Sequence, residues 1–349
     1  MNLSVNRKLF LNILLFLAVI GLIFFVIRDS LGEIFEELTT TSWPILFGVT
    51  ILGVVSQLVE GYTIKNIASE YNPSFTIMDG FFASAYATFY RVVTFGTGSI
   101  VAEVIYYRKK ELKLSQGTGV TALRMVTYKI AVMIWAFVFL FLESDVLQQE
   151  VPNGIMLVLI GMSITLAIVA VLLLFSLNVS AQVIFVKISN RIFKRQRWRD
   201  LVDRANLQFY SLRETIQTFI QNKHVVIKVF GSNMAKLAIW YVIPYFILSQ
   251  SYSDLSLTLS IALISFTVTL GGVLPAPGGI GGLEFVYVLL FKHIVDNVDA
   301  VSSLLLYRYA TYLMPFLIGM VYVLVTKQKE IKTEFEEAKE MKKEADNQS

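Results

Sequence analysis

The sequence predicts an all-α integral membrane protein with six full transmembrane helices and two re-entrant helical hairpins in an inverted repeat. The 349 residues are 55% hydrophobic and 16% charged, whereas soluble domains are about 45–50% apolar and about 25% charged. Several apolar runs approach the ~20 residues that cross a bilayer. One run is interrupted at 271–284 by two prolines and six glycines. At membrane depth such a broken backbone must be buried in protein or line a watery cavity.

Residues 1–150 form the first predicted repeat. Arg7 and Lys8 precede its first apolar run and acidic residues follow it, so the positive-inside rule places the amino terminus in the cytoplasm. The run is too long for a signal-peptide core and is expected to be retained as a span. The three spans of this repeat are expected at about 9–27, 43–59 and 118–142.

The apolar stretch at about 75–107 is predicted to be a re-entrant hairpin. A full crossing by its first part would place the basic cluster Arg108–Lys113 outside, and the remaining apolar piece would be too short to return. A hairpin keeps both ends in the cytoplasm. Its tip is expected at Gly96 and Gly98, with Arg91 and Glu103 on either side.

Residues 151–326 form the second predicted repeat. Its spans are expected at about 155–177, 225–248 and 301–325. A second re-entrant hairpin is predicted at about 255–295 with both ends outside, because a final full span must still bring the basic residues after 326 inside. Both termini are therefore expected in the cytoplasm. The predicted tip residues of this hairpin are Pro275, Pro277, Gly278, Gly279, Gly281 and Gly282.

Two further segments are predicted to lie on the cytoplasmic side. Residues 187–224 are rich in Lys and Arg, and the tail 327–349 alternates Lys and Glu. The tail is expected to be a solvated helix or disordered. The first segment is predicted to be an amphipathic helix on the membrane surface that touches anionic headgroups, the alternative being an ordinary positive-inside loop. Its apolar residues at helical spacing are Leu201, Ala205, Phe209, Leu212, Ile216 and Phe219.

The two halves share the plan span, span, hairpin, span. Three full crossings per half is an odd number, so the second half would be inverted relative to the first, as in many secondary transporters. The segments Arg124–Tyr128 and Arg308–Tyr312 both read R-x-x-T-Y. Aligning Glu103 with Glu284 also pairs Gly98 with Gly279 and Tyr106 with Tyr287. This alignment and that of the R-x-x-T-Y segments differ in offset by three residues, so combining them needs a gap. Chance is the alternative explanation.

Charged residues within the predicted membrane region mark the candidate site. A charged side chain at the bilayer centre costs about 2.5–3.5 kcal/mol or more, so it tends to face a cavity or a partner. Basic residues outnumber acidic ones, which favours an anionic phosphate headgroup as ligand. Two alternatives stay open: Arg91 and Lys129 snorkel to an interface, or Glu103–Arg124 and Glu284–Arg308 are structural ion pairs. The candidate headgroup or cavity residues are Arg91, Glu103, Arg124, Tyr128, Lys228, Lys236, Glu284, Arg308 and Tyr312.

Several kinds of chemistry are not predicted. The chain has no cysteine, which removes thiol nucleophiles and zinc–thiolate sites, and its two histidines do not favour a metal cluster. The glycine-rich stretch lacks the Lys-Ser/Thr of a nucleotide-binding loop. No catalytic residue, cofactor, metal or nucleic-acid partner is therefore expected.

The stretch Leu274–Glu284, together with Arg308, resembles the lysylphosphatidylglycerol synthase transmembrane region. This is the flippase-like membrane half of the bacterial multiple peptide resistance factor proteins. The resemblance covers about Leu9 to Thr326, and the first tip matches more loosely. It implies a multi-pass protein of the bacterial cytoplasmic membrane. In full-length relatives, a cytoplasmic domain joins lysine to phosphatidylglycerol and the membrane half is thought to move the product outward.

The resemblance and the residues lead to two main hypotheses. In the first, the protein translocates a phospholipid or glycolipid, such as aminoacylated phosphatidylglycerol: Arg124, Arg308, Lys228 and Lys236 hold the phosphate, and the glutamates take an amine or a proton. In the second, it is a membrane component of lipid modification, with 187–224 docking a separate transferase. The family name implies a lysyltransferase, but the chain ends soon after its last predicted span, so no catalytic domain is expected. An ion-coupled small-solute transporter is a third alternative.

Overall fold

The computed structural model describes residues 32–96, 98–145, 148, 154–192, 196–274 and 281–347. This part of the chain is helical and contains no strand, which confirms the all-α prediction. The helices, in chain order, are α1 Gly32–Thr40, α2 Trp43–Ala68, α3 Ile77–Val93, α4 Ser99–Lys109, α5 Leu114–Leu142, α6 Gly154–Leu177, α7 Val179–Ile192, α8 Gln196–Gln221, α9 Lys223–Leu248, α10 Leu257–Gly271, α11 Gly282–Phe291, α12 Asn297–Arg308 and α13 Met314–Asn347. A π-helical turn, Tyr309–Leu313, joins α12 to α13.

Five helices in the described ranges are long and apolar enough to cross a membrane. They are α2, α5, α6, α9 and the continuous helix that runs from α12 into α13. Each contains one of the predicted spans at 43–59, 118–142, 155–177, 225–248 and 301–325. The remaining predicted span, 9–27, lies outside the described residues.

Two helices extend beyond the spans predicted within them. Helix α2 continues from residue 59 to Ala68, through Glu60. A buried carboxylate that is paired with cations does not have to end a helix, and Glu60 is such a residue. The last helix continues beyond residue 325, since α13 reaches Asn347. The tail is therefore helical over the part that the structure describes.

Two pairs of shorter helices occupy the predicted hairpin regions. Helix α3 begins where the Thr76 hydroxyl accepts a hydrogen bond from the Asp79 N–H, and α10 begins where the Ser256 hydroxyl accepts one from the Leu259 N–H. Buried apolar residues precede both caps, Phe75 and Leu255. This combination of a polar cap and a preceding apolar anchor is typical of a helix start.

The chain between α3 and α4 is a tight turn. Phe95 and Gly96 both have positive φ, and the Gly96 N–H donates to the Arg91 carbonyl at 2.7 Å. The Thr94 hydroxyl accepts a hydrogen bond from the Gly98 N–H at 2.7 Å. These bonds satisfy backbone groups that the end of α3 would otherwise leave unpaired. Between α10 and α11, residues 275–280 lie outside the described residues.

The surface helix predicted over 187–224 needs one correction. The region contains the end of α7 and the whole of α8 rather than one helix. Helix α8 packs on α5, and four of its six predicted apolar-face residues, Phe209, Leu212, Ile216 and Phe219, are buried, whereas Leu201 is exposed. Apolar spacing alone does not distinguish burial by lipid from burial by a neighbouring helix.

The long helices pack so that polar side chains of several elements meet inside the molecule. Helix α9 runs along α2, α13 packs against α3, and α10 packs against α5. Helix α4 lies between α3 and α5. Apolar clusters on both sides of these contacts hold the helices together. A cavity lies between these helices.

Candidate functional site

A cavity of about 560 Å³ lies between α2, α3, α4, α5 and α9. Gly96, in the turn after α3, lines it from one side. Gly272, directly after α10, lines it as well, and Thr311 and Pro315 contribute from the π-helical turn and α13. The cavity is therefore bounded by both regions in which the sequence predicts a helical hairpin.

The centre of the site is the guanidinium of Arg124 on α5. Its Nε and Nη2 donate to the two carboxylate oxygens of Glu103 at 3.0 and 2.7 Å. Its Nη1 donates to Oε1 of Glu60 on α2 at 2.6 Å. The Tyr107 hydroxyl donates to Oε1 of Glu103 at 2.7 Å. Bidentate arginine–carboxylate pairs are strong and directional, so Arg124 fixes α2, α4 and α5 relative to one another.

Lys236 on α9 completes this network. Its Nζ donates to Oε2 of Glu60 at 2.6 Å, and both side chains are almost fully buried. The ammonium also lies 4.5 Å from the ring centroid of Tyr128 and 5.0 Å from that of Trp240. Cation–π contacts of this kind contribute about 0.5–2 kcal/mol. Lys236 is thus held by a carboxylate and two aromatic rings.

Two further cations line the cavity without a carboxylate partner among the described residues. The Arg91 side chain makes no hydrogen bond or ion pair in this part of the chain. Lys129 donates to the Gly272 carbonyl at 3.3 Å. Both face the cavity in this structure, and their charges are available to a ligand.

The second predicted pair, Glu284 and Arg308, also forms an ion pair. Arg308 Nη2 lies 2.5 Å from Oε1 of Glu284, and the guanidinium packs 5.2 Å from the ring centroid of Tyr312. Glu284 Oε2 accepts a hydrogen bond from the Gly281 N–H at the start of α11. Gly281 has a φ of +110°, which favours glycine. Arg308 directly precedes the π-helical turn, a feature frequent at functional sites.

The structure brings together most of the predicted site residues, but not all of them. Arg91, Glu103, Arg124, Tyr128 and Lys236 line one cavity together with Gly96. Arg308 contacts both Glu284 and Tyr312, and none of the three is among the residues that line the cavity. Gly282 begins α11 and Gly98 precedes α4. Pro275, Pro277, Gly278 and Gly279 lie outside the described residues.

The grouping of Lys228 with Lys236 was wrong. Lys228 is exposed and does not line the cavity. Eight residues on an α-helix correspond to about 12 Å of rise and a rotation about 80° past two full turns. Two lysines at this spacing therefore do not reach the same small site.

Sequence reasoning missed Glu60, which bridges Arg124 and Lys236. A predicted span that ends at 59 leaves this residue in a loop. The usable signal was the absence of any Pro or Gly-rich break between 59 and 68, apart from the single Gly61. Tyr107, the phenol that donates to Glu103, was missed because nothing in its spacing distinguishes it from other tyrosines of the region.

The described residues contain no group of three or more His, Cys, Asp or Glu side chains that could hold a metal ion. The acidic residues of the cavity are instead paired with cations. The site therefore presents a cationic, hydrogen-bonding surface, whose natural ligand is an anion.

The helices and the cavity define a multi-pass, all-α membrane protein with a polar site between its helices. The chain belongs to the family described as lysylphosphatidylglycerol synthase TM region, which it matches over residues 10–319. The match confirms the resemblance that the Pro/Gly stretch predicted, and it associates the chain with membrane proteins of lipid modification. No curated protein matches the chain.

Proposed function

We propose that the protein translocates an anionic phospholipid or glycolipid across the bacterial cytoplasmic membrane, with the headgroup passing through the cationic cavity. The excess of cations in that cavity is the observation that carries the proposal. A buried site with more cations than carboxylates is costly unless an anion occupies it. The family description makes aminoacylated phosphatidylglycerol one candidate lipid.

The proposal includes six spans and two re-entrant hairpins, α3–α4 and α10–α11, in an inverted repeat of residues 1–150 and 151–326. The packing between helices supports it. In this repeat α2 corresponds to α9, the hairpin α3–α4 to α10–α11, and α5 to the continuous helix α12–α13. A contact between α3 and α13 should then have its counterpart between α10 and α5. Both contacts are present, and α2 packs on its own counterpart, α9. Reciprocal contacts of this kind are expected around a two-fold axis.

The paired charges agree with the same correspondence. Glu103 on α4 pairs with Arg124 on α5, and Glu284 on α11 pairs with Arg308 on α12. Each pair joins the second hairpin helix to the following long helix, and each arginine belongs to an R-x-x-T-Y segment. In this arrangement Arg124 and Arg308 stabilise the packing of the helices in each half. Arg91 and Lys129 make the first contacts with the phosphate of the lipid. The positive-inside rule places both termini in the cytoplasm.

Reconstituted vesicles test the transport. The full chain is placed in vesicles that carry phosphatidylglycerol with a fluorescent acyl chain, and a membrane-impermeant reductant bleaches the lipid of the outer leaflet. Active protein raises the bleached fraction above the level of protein-free vesicles. Arg91→Ala, Glu284→Gln and Arg308→Ala are expected to abolish this rise, whereas Lys228→Ala, on an exposed residue outside the cavity, leaves it unchanged. Full activity in all three cavity and pair variants contradicts the proposal.

The second candidate is a membrane component of lipid modification, with a separate transferase as partner. The family description favours it, because it names a synthase. Lipid mass spectrometry of a deletion strain separates the two candidates. Loss of a lipid species supports the modification role, whereas normal amounts of lipid retained in the inner leaflet support translocation.

A further inference from the structure

All four carboxylate oxygens of the described cavity lining already accept hydrogen bonds. Glu60 uses one oxygen for Arg124 and the other for Lys236. Glu103 uses both oxygens for Arg124, and one of them also accepts the Tyr107 hydroxyl. An ammonium group of a ligand would therefore share these oxygens with a cation of the protein or displace it. Breaking a buried pair is strongly unfavourable, and a shared oxygen places two cations close together.

The formal charge of the cavity is positive. Its described lining contains four basic residues, Arg91, Arg124, Lys129 and Lys236, and two acidic residues, Glu60 and Glu103, which leaves an excess of two positive charges. Residue 97, next to Gly96 in the sequence, and residues 275–280, shortly after Gly272, lie outside the described ranges and are uncharged. The neighbouring ion pair of Glu284 and Arg308 is neutral as a unit.

We propose that this site selects a lipid whose headgroup is anionic overall, a phosphate that carries a neutral glycerol or sugar, and rejects one whose phosphate is offset by an aminoacyl ammonium. This inference rests on the proposed function and narrows its substrate. The phosphate contacts Arg91 and Lys129, the two cavity cations without a described carboxylate partner. An aminoacyl ester would bring its ammonium into a region of positive potential in which the described carboxylates are already paired with cations. Selectivity then comes from repulsion of the wrong ligand as well as attraction of the right one.

A binding comparison with short-chain lipids tests the selectivity. The purified full chain in detergent is titrated with dihexanoyl phosphatidylglycerol, with its lysyl ester and with dihexanoyl phosphatidylcholine. Phosphatidylglycerol is expected to bind tighter than the lysyl ester by about tenfold or more. Phosphatidylcholine, a zwitterion, is expected to fall between the two or to match the lysyl ester.

Charge reversal at Arg91 sharpens the test. Arg91→Glu removes the positive excess and supplies a free carboxylate, so the preference for phosphatidylglycerol over the lysyl ester should disappear or invert. Arg91→Gln should reduce the preference without inverting it, and this milder variant keeps the test usable if Arg91→Glu does not fold. Lys228→Glu makes the same charge change on an exposed residue, and its lipid preference should match that of the unchanged protein.

The outcomes separate the two levels of the proposal. If the unchanged protein binds the lysyl ester as tightly as phosphatidylglycerol or more tightly, and Arg91→Gln weakens that binding, the selectivity is wrong while the cavity remains the lipid site. If none of the three lipids binds, or if both Arg91 variants bind them like the unchanged protein, the cavity does not hold the headgroup and the proposed function falls with the inference.

Discussion

The two halves of the molecule use the same glutamate–arginine pair in different surroundings. In the first half, the Glu103 side chain is 2% exposed, and its partner Arg124 is half-buried. This pair is joined to Tyr107 and Glu60 and, through Glu60, to Lys236. In the second half, the Glu284 side chain is 26% exposed and also accepts a backbone N–H at the start of α11. Equivalent sequence motifs thus occupy environments of different polarity.

This difference indicates a division of labour. The Glu103–Arg124 pair belongs to a network that joins α2, α4 and α5 of the first half to α9 of the second half, so a movement of any one of these helices would separate an ion pair. The Glu284–Arg308 pair has a partly exposed carboxylate and lies beside a π-helical turn. We expect the helices around Glu103 and Arg124 to be rigid and those around Glu284 to tolerate larger changes, because the energy of an ion pair falls with hydration.

Removal of Arg124 is expected to have the largest effect on stability. Arg124→Ala leaves Glu103 without a cation and Glu60 with Lys236 alone, and uncompensated buried charge costs about 3–5 kcal/mol. A sharp drop in melting temperature, or loss of the monodisperse protein in detergent, is the expected readout. The double variant Glu103→Gln/Arg124→Met should recover part of the loss because it removes both charges. If the melting temperature of Arg124→Ala equals that of the unchanged protein, the network does not stabilise the fold.

Lys236→Met is expected to have an intermediate effect. The variant removes one charged hydrogen bond to Glu60 and the contacts with the rings of Tyr128 and Trp240, while Arg124 still donates a hydrogen bond to Glu60 and shares its charge between Glu60 and Glu103. A hydrogen bond to a charged group contributes about 1.5–3 kcal/mol, which sets the expected loss. Lys228→Met, eight residues earlier on the same helix and exposed, is the matched control and should change the free energy of unfolding by less than about 0.5 kcal/mol. Equal melting temperatures for the two variants would place Lys236 outside the network.

Much of this architecture could be predicted from the sequence, and the failures have physical causes. Apolar runs located α5, α6 and α9 closely, and the repeated R-x-x-T-Y singled out both arginines. The search for spans stopped at Glu60 because hydropathy counts a carboxylate as polar whatever its partners. Only the fold shows that Arg124 and Lys236 neutralise it. The covering of α8 by α5 was also beyond reach, because an apolar helix face is the same in sequence whether protein or lipid buries it.

Glu284→Gln is expected to have the smallest effect on stability and tests the comparison directly against Glu103→Gln. The amide oxygen of the introduced glutamine can still accept the Gly281 N–H, and the position is partly exposed, but the buried Arg308 loses its charged partner. We therefore expect a loss of about 1.5 kcal/mol, at the low end for a hydrogen bond to a charged group. Glu103→Gln removes a buried carboxylate from a bidentate pair and should cost about 3 kcal/mol or more. Both melting temperatures are measured in the same detergent, alongside lipid translocation in vesicles. We expect Glu284→Gln to stay folded and lose translocation, because in the second half the ion pair serves the transport step more than the fold. If the two substitutions lower the melting temperature equally, the two ion pairs contribute equally to stability. The greater exposure of Glu284 would then not make its surroundings easier to rearrange.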